Sequence, residues 1–153
     1  MQVIYKTDNF YVFTPDRVHV SREEGGHLCI ASFNDKYLSR LDLTLKEAEE
    51  FIRLSMIVGE AMIRGMAQRG IQIGRINYQE NGNWAFLRDE KPFFHLHLYG
   101  RVENAHHQKW GEALYFPNPK SSYYNNLVPL DDLDIEAIKE QIYLLEENPK
   151  YKK

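Results

Sequence analysis

Two histidines, His95 and His97, stand two residues apart in the apolar run Phe93-Phe94-His95-Leu96-His97-Leu98-Tyr99. Alternate side chains of a β-strand share a face, so this spacing sends both imidazoles to one side and Leu96 and Leu98 to the other. The leucines then seed a core, and the paired rings form the floor of a site. Asp89, Glu90, Lys91 and Pro92 bound the run before it and Gly100 after it. Imidazole titrates near neutrality, which suits such a pair to three tasks. The rings can be ordinary hydrogen-bonded residues of a half-exposed sheet. They can be two ligands of a metal ion, with Glu103, His106 and His107 as the nearest candidates for a third. Or one ring is a nucleophile towards phosphorus while the other hydrogen-bonds the phosphate oxygens.

The elements that must position this strand are legible in outline. Val3-Ile4-Tyr5 and Phe10-Tyr11-Val12-Phe13 are short β-rich runs separated by Thr7-Asp8-Asn9, and His27 to Ala31 follows Gly25-Gly26 as a third, buried strand. The loop Arg22-Glu23-Glu24 reads as a solvated turn, and Cys29 as plain core. From Thr44 to about Arg69 the period becomes helical. Thr44 with Glu47 forms a capping box, Gly70 stops the helix, and Leu45, Ala48, Ile52, Met56, Gly59, Ile63 and Met66 form the expected core stripe. Glu49 with Arg53 and Glu60 with Arg64 are i,i+4 pairs. Ile71 to Gln79 reads as a strand, and Asn81-Gly82 predicts a hairpin returning through Trp84 to Phe86. Val102 to Tyr124 is loop-like. A final helix opens at Asp131 to Asp134 and carries the stripe Ile135, Ile138, Ile142 and Leu145. The expectation is one α+β domain over residues 1–153, a mainly antiparallel sheet with one long central helix and a C-terminal helix, ending in a flexible tail from about residue 149.

Composition narrows the function. The 153 residues carry a formal net charge of −3, so no broad basic field invites a nucleic-acid polymer. The one cysteine cannot form an internal disulfide, and no apolar run reaches the length of a membrane span. No signal-peptide pattern opens the chain. These features predict a cytoplasmic setting with no membrane partner.

The run around His95 resembles the motif of the histidine triad (HIT) family of nucleotide hydrolases and transferases, His-φ-His-φ-His-φ-φ with φ apolar. Phe93 stands at the first histidine's place, and Gly100-Arg101 follows. A second register, His95-His97-Tyr99, resembles the family's uridylyltransferase branch; the first is preferred because Arg101 lies four residues after His97. On it, the resemblance implies that His95 is the nucleophile and His97 the phosphate contact. Gly26-His27-Leu28 is similar to the family's Gly-His-φ-φ-φ segment, which implies that His27 lies near the phosphate. His19 stands where the family tends to carry an Asp or Asn for the ribose hydroxyls. The resemblance also implies an Asn at the end of the strand before the motif. Asn77, Asn81 and Asn83 can each fill that substrate-binding role, with Asn77 and Asn83 preferred because Asn81 also suits turn geometry. Arg101 could meet a phosphate or a dimer partner. Two departures stand out: Phe93 cannot accept a hydrogen bond, and Asp89-Glu90 replace the usual Gln with Ser or Thr, which predicts a longer loop holding these carboxylates in solvent. What the resemblance implies is a homodimeric enzyme, without metal or other cofactor, that acts on a nucleotide phosphoanhydride or phosphoramidate. It would be diadenosine polyphosphate hydrolase-like and work through a nucleotidyl-histidine. The alternatives are a nucleotide-binding protein with little or no catalysis, and a metal-dependent enzyme built on His95 and His97.

Overall fold

The computed structural model of the chain describes residues 1–118 and 120–152; Pro119 and Lys153, read from sequence as loop and tail, lie outside them. Strands β1 (Gln2–Lys6), β2 (Phe10–Thr14) and β3 (His27–Ser32) precede helix α1 (Leu45–Gln68), followed by β4 (Arg75–Gln79), β5 (His95–Arg101) and helix α2 (Asp132–Glu146). The five strands form one sheet in the order β1-β2-β3-β5-β4, and every neighbouring pair runs antiparallel. This is the expected α+β architecture. Leu28 and Ile30 of β3 and Leu96 and Leu98 of β5 point to the side covered by the helices, where they join the main core with Phe51, Leu54, Met62, Ile138 and Ile142. Each such fully buried aliphatic side chain contributes about 1.5–3 kcal/mol relative to exposure. The alternation then sends His27, Cys29, His95, His97 and Tyr99 to the opposite face.

Local chemistry sets the helix ends. Thr44 and Glu47 make both halves of the capping box on α1, and Asp131 and Asp134 do the same on α2. At the other end of α1, Gly70 adopts φ +80° and the amide of Ile71 donates to the carbonyl of Met66 at 2.9 Å. The buried face of α1 differs from the expected stripe. Phe51, Leu54, Ile57, Val58, Ala61, Met62 and Met66 are buried, whereas Leu45, Ile52, Met56 and Ile63 are exposed. The helix carries two apolar faces, and small residues decide between them. A Cβ on Gly65 would lie 2.9 Å from the backbone of Ile138, so only that side lets α2 approach so closely.

Other expectations are also corrected. Residues 71–74 lie outside the strand, and Asn81-Gly82 does not make a hairpin: Gly82–Arg88 is a 3-10 turn, and the pairing partner of β4 is β5 itself. Glu60 pairs with Arg64 as expected, and Arg53 reaches across to Glu146 on α2 and to the carbonyl of Tyr151. The C-terminal segment is docked rather than flexible as far as Tyr151, whose ring is 6% exposed in the core and whose hydroxyl donates to Glu60. Among the described residues no helix is long and apolar enough to cross a membrane.

Candidate functional site

The β3–β5 register sets Ala31 opposite His95, Cys29 opposite His97 and His27 opposite Tyr99, so three imidazoles and a thiol share one patch of sheet. Gly25 and Gly100 bring the preceding turn onto β5. A Cβ on Gly100 would sit 2.2 Å from the Gly25 carbonyl oxygen, and Gly25 itself has φ +114°. A fourth imidazole comes from the segment after β2. The ring of His19 lies over those of His27, His97 and Tyr99, with centroids 5.0, 5.7 and 6.0 Å away.

Hydrogen bonds assign the protons. Nδ1 of His95 lies 3.0 Å from the Phe93 carbonyl oxygen, which only accepts, so the His95 proton sits on Nδ1 and Nε2 keeps its lone pair. The half-exposed His95 ring is stacked on Phe93 at 4.3 Å and set edge-on to His97 at 4.5 Å. The buried network has the opposite polarity. The backbone amide of His19 donates to Nδ1 of His27 at 3.2 Å, so neutral His27 carries its proton on Nε2. That proton is donated to Nδ1 of His97 at 2.9 Å, which leaves the His97 proton on Nε2. Tyr99 accepts from the Asn81 side-chain amide at 3.1 Å, and its hydroxyl shares a hydrogen bond with Nδ1 of His19 at 3.0 Å. Cys29 is core, as expected, packed with Phe13 and Ala31, and its Sγ also lies 3.2 Å from Nδ1 of His97 and 3.4 Å from Nε2 of His27. Burial first, and neighbouring imidazoles second, hold His97 down to about 2 and His27 well below the ordinary imidazole value. Burial and the charge of Arg17 bring His19 to about 4. These three rings are neutral at pH 7.

A cleft of about 230 Å³ opens over these rings, walled by Arg17, Asn81, Trp84, Lys91 and Pro92. Trp84 and Phe116 each approach His19 to 5.5 Å. The structure therefore brings His19, His27, His95 and His97 together. It does not bring Asn77 or Arg101 to the cleft. Arg101 is buried, and its guanidinium donates to the carbonyls of Gln108, Lys109 and Glu112 at 3.3, 2.7 and 3.1 Å and to Oδ1 of Asn77 at 3.3 Å. Those donors hold the segment after β5 and are not directed to a phosphate. Arg101→Ala is accordingly expected to cost roughly 3 kcal/mol in urea unfolding, because three carbonyls lose their donor, while turnover per folded molecule changes little. Unchanged stability with lost turnover would restore a phosphate role. Asn83 faces a neighbouring cavity, and Asn81, read from sequence as a turn residue, is the one that lines the cleft. Asp89 and Glu90 are exposed, as the longer loop predicted, although Glu90 stands at the cleft mouth.

The segment Arg22-Glu23-Glu24 is not simply solvated. Glu24 is buried and its carboxylate accepts from the amides of His106, His107 and Gln108 at 2.9, 2.8 and 3.0 Å and from the His107 ring at 2.9 Å. Arg22 pairs with the buried Asp134. Gln108, which sequence reasoning missed, ties this strap to the site: its side-chain amide donates to the carbonyl of His19 at 3.3 Å and to the hydroxyl of Tyr123 at 2.9 Å. Nothing local to a lone glutamine signals that role.

Metal chemistry can be tested on the same protons. Among the described residues, His19, His27 and His97 are the group whose ligand atoms lie within 4.8 Å of one another. A ligating neutral histidine needs its proton on the other nitrogen, facing an acceptor. The other nitrogen of His27 faces a backbone N–H instead, so these residues do not fit a metal centre. The third-ligand candidates do not join either: the His107 ring is held by Glu24, and Glu103 and His106 are exposed and outside the cluster of ligand atoms.

Comparison of the sequence with protein-family models gives no match, and comparison with curated proteins gives none. Solved structures do match. The fold is similar to that of a Hit-like protein involved in cell-cycle regulation from Bartonella henselae (13% identity, TM-score 0.57, 91% of this chain and 85% of that one covered). It is also similar to a hypothetical histidine triad nucleotide-binding protein from Sulfolobus tokodaii (14%, 0.59, 94% and 85%) and to a Zn-bound histidine triad family protein from Mycobacterium smegmatis (18%, 0.56, 94% and 85%). The chain thus has the histidine triad fold, with its paired histidines on β5 and its Gly-His-Leu segment opening β3.

Proposed function

We propose that this chain is a diverged member of the histidine triad family that binds nucleotides and cleaves a phosphoanhydride or phosphoramidate at the α-phosphorus through a nucleotidyl-histidine. One observation carries the reading: the bond from His95 Nδ1 to the Phe93 carbonyl puts the ring proton on Nδ1 and makes Nε2 the basic nitrogen of a ring that lines the cleft. In the first step that lone pair attacks phosphorus, an N–P bond forms and the bond to the leaving group breaks, the leaving group departing with its electron pair and taking up a proton. Water then attacks the same phosphorus, releases the nucleoside monophosphate and restores His95. The His27 relay leaves the Nε2–H of His97 as the edge that can donate to a non-bridging oxygen, a preorganised interaction worth on the order of 3 kcal/mol. Phe93 supplies a stacking face and its main-chain carbonyl where the family's first histidine would stand. The test is to mix the protein with a nucleotide labelled at the α-phosphate, quench within milliseconds, and look for acid-labile, base-stable label on protein. Label on wild type that is lost in His95→Asn supports the reading. Binding without label would instead make the chain a nucleotide-binding protein.

The same reading places the protein in the cytoplasm as a homodimer. Support for the second copy comes from the unburied apolar face of α1, where Ile52 and Met56 are 49% and 47% exposed, beside Tyr78 on the edge strand β4. Met56→Glu is expected to convert a dimer to monomer in sedimentation velocity. An unchanged sedimentation coefficient removes this face as the interface.

A further inference from the structure

We infer, resting on that reading of His95, that the substrate spans two cavities and that the outer one is a subsite for a flat apolar group joined through phosphorus to the part seated against His97. The histidine cleft, at about 230 Å³, is smaller than the roughly 300–1000 Å³ of pockets that enclose a whole small-molecule ligand. A second cavity of about 250 Å³ lies beside it. The two share Gly82, Pro92, Phe93 and His95, so the nucleophile stands at their junction. Together they reach the size that either lacks alone.

The Gly82–Arg88 turn is the partition between them. Side chains three apart eclipse one another on a 3-10 helix, so Asn83 and Phe86 line the outer cavity while Trp84 and Ala85 line the histidine cleft. The walls differ in chemistry. Two cations, Arg17 and Lys91, and one carboxylate, Glu90, stand at the histidine cleft, a net positive balance that suits a phosphate. The outer cavity is walled by Leu38, Phe86, Phe93 and Phe94, and among its described lining residues the only charged side chain is Glu80, paired with Arg40. A polyphosphate tail would meet a carboxylate and apolar surface there. A flat apolar group would instead cover Phe86, 74% exposed, and Phe93, 48% exposed. That group is either the leaving group or the nucleobase, which share this chemistry.

Binding separates the two sources and does not depend on turnover. Titration calorimetry on full-length His95→Asn, which keeps the probes intact, uses the adenosine 5′-phosphoramidates of tryptamine and methylamine and the ribose 5-phosphoramidates of the same amines. Adding Phe86→Ala is expected to weaken binding about tenfold for probes carrying the group that occupies the subsite, and to leave the ribose methylamine probe unchanged. A loss that follows tryptamine assigns the subsite to the leaving group; a loss that follows adenine assigns it to the base. An equal loss for all four probes, no loss, or no binding by any of them overturns the inference. So does a Phe86→Asp variant with altered sedimentation, which would give the patch to a protein contact. The catalytic reading fails separately, if the wild type forms no labelled histidine while this binding pattern holds.

Discussion

On the proposed reading, His95→Asn is expected to lower turnover by at least about 10⁴-fold and to leave the folded state nearly as stable as wild type. Removing a covalent nucleophile costs rate on that order because no other group supplies the bond to phosphorus. Stability is spared for a local reason. His95 is partly exposed at the start of β5, and its hydrogen bond to the Phe93 carbonyl is worth about 1 kcal/mol. His97→Asn makes the contrast, since that ring is buried and accepts the His27 proton, so its loss lowers stability as well as rate. Steady-state turnover beside urea unfolding distinguishes them. A His95→Asn protein that still turns over within tenfold of wild type removes His95 as the nucleophile.

The second large effect is on acid stability. His27 and His97 in the folded state have pKa values held below the ordinary 6.5, His97 at about 2, and His19 sits at about 4. Below pH 6.5 the unfolded chain takes up protons that the folded chain refuses. The stabilisation is therefore complete above about pH 6.5 and is lost as the pH falls from there towards the folded values. A fully buried ring such as His27 contributes up to about 1.4 kcal/mol per pH unit in that window. His27→Gln tests the cause. A glutamine can accept from the His19 amide through its oxygen and donate to His97 through its nitrogen, so it keeps both bonds without titrating. The expected result is a flatter dependence of unfolding free energy on pH between 6.5 and 4.5, by about that amount per unit. A variant as acid-sensitive as wild type would show that His27 is not the group protonated on unfolding.

Much of the site's plan could be read from short-range pattern. The spacing of His95 and His97 sets their common face because side chains alternate along any strand, and the capping boxes set the starts of α1 and α2 because those bonds close within three residues. Periodicity also put Leu96 and Leu98 in the core. It could not choose between the two apolar faces of α1, since both recur at helical spacing and only the approach of α2 to Gly65 selects one. Asn81-Gly82 carries a hairpin signal that loses to a longer-range pairing, β4 with β5, and the residues between wind into the turn that separates the two cavities.

The same division holds for the chemistry. Residue types and spacing determined that two imidazoles share a surface and that a third follows Gly26, and the resemblance they carry pointed to phosphorus. Proton positions are a property of the donors and acceptors packed against each ring, and only the folded structure decides them. The His19 amide, eight residues from His27, and the Phe93 carbonyl, two from His95, fix opposite tautomers on rings of identical type. Arg101 is one of the residues for which a phosphate contact was expected, and it holds the segment after β5 instead, because its Nη2 is occupied by the carbonyls of Gln108, Lys109 and Glu112. A side chain's identity comes from sequence; which lone pair it offers comes from the atoms packed against it.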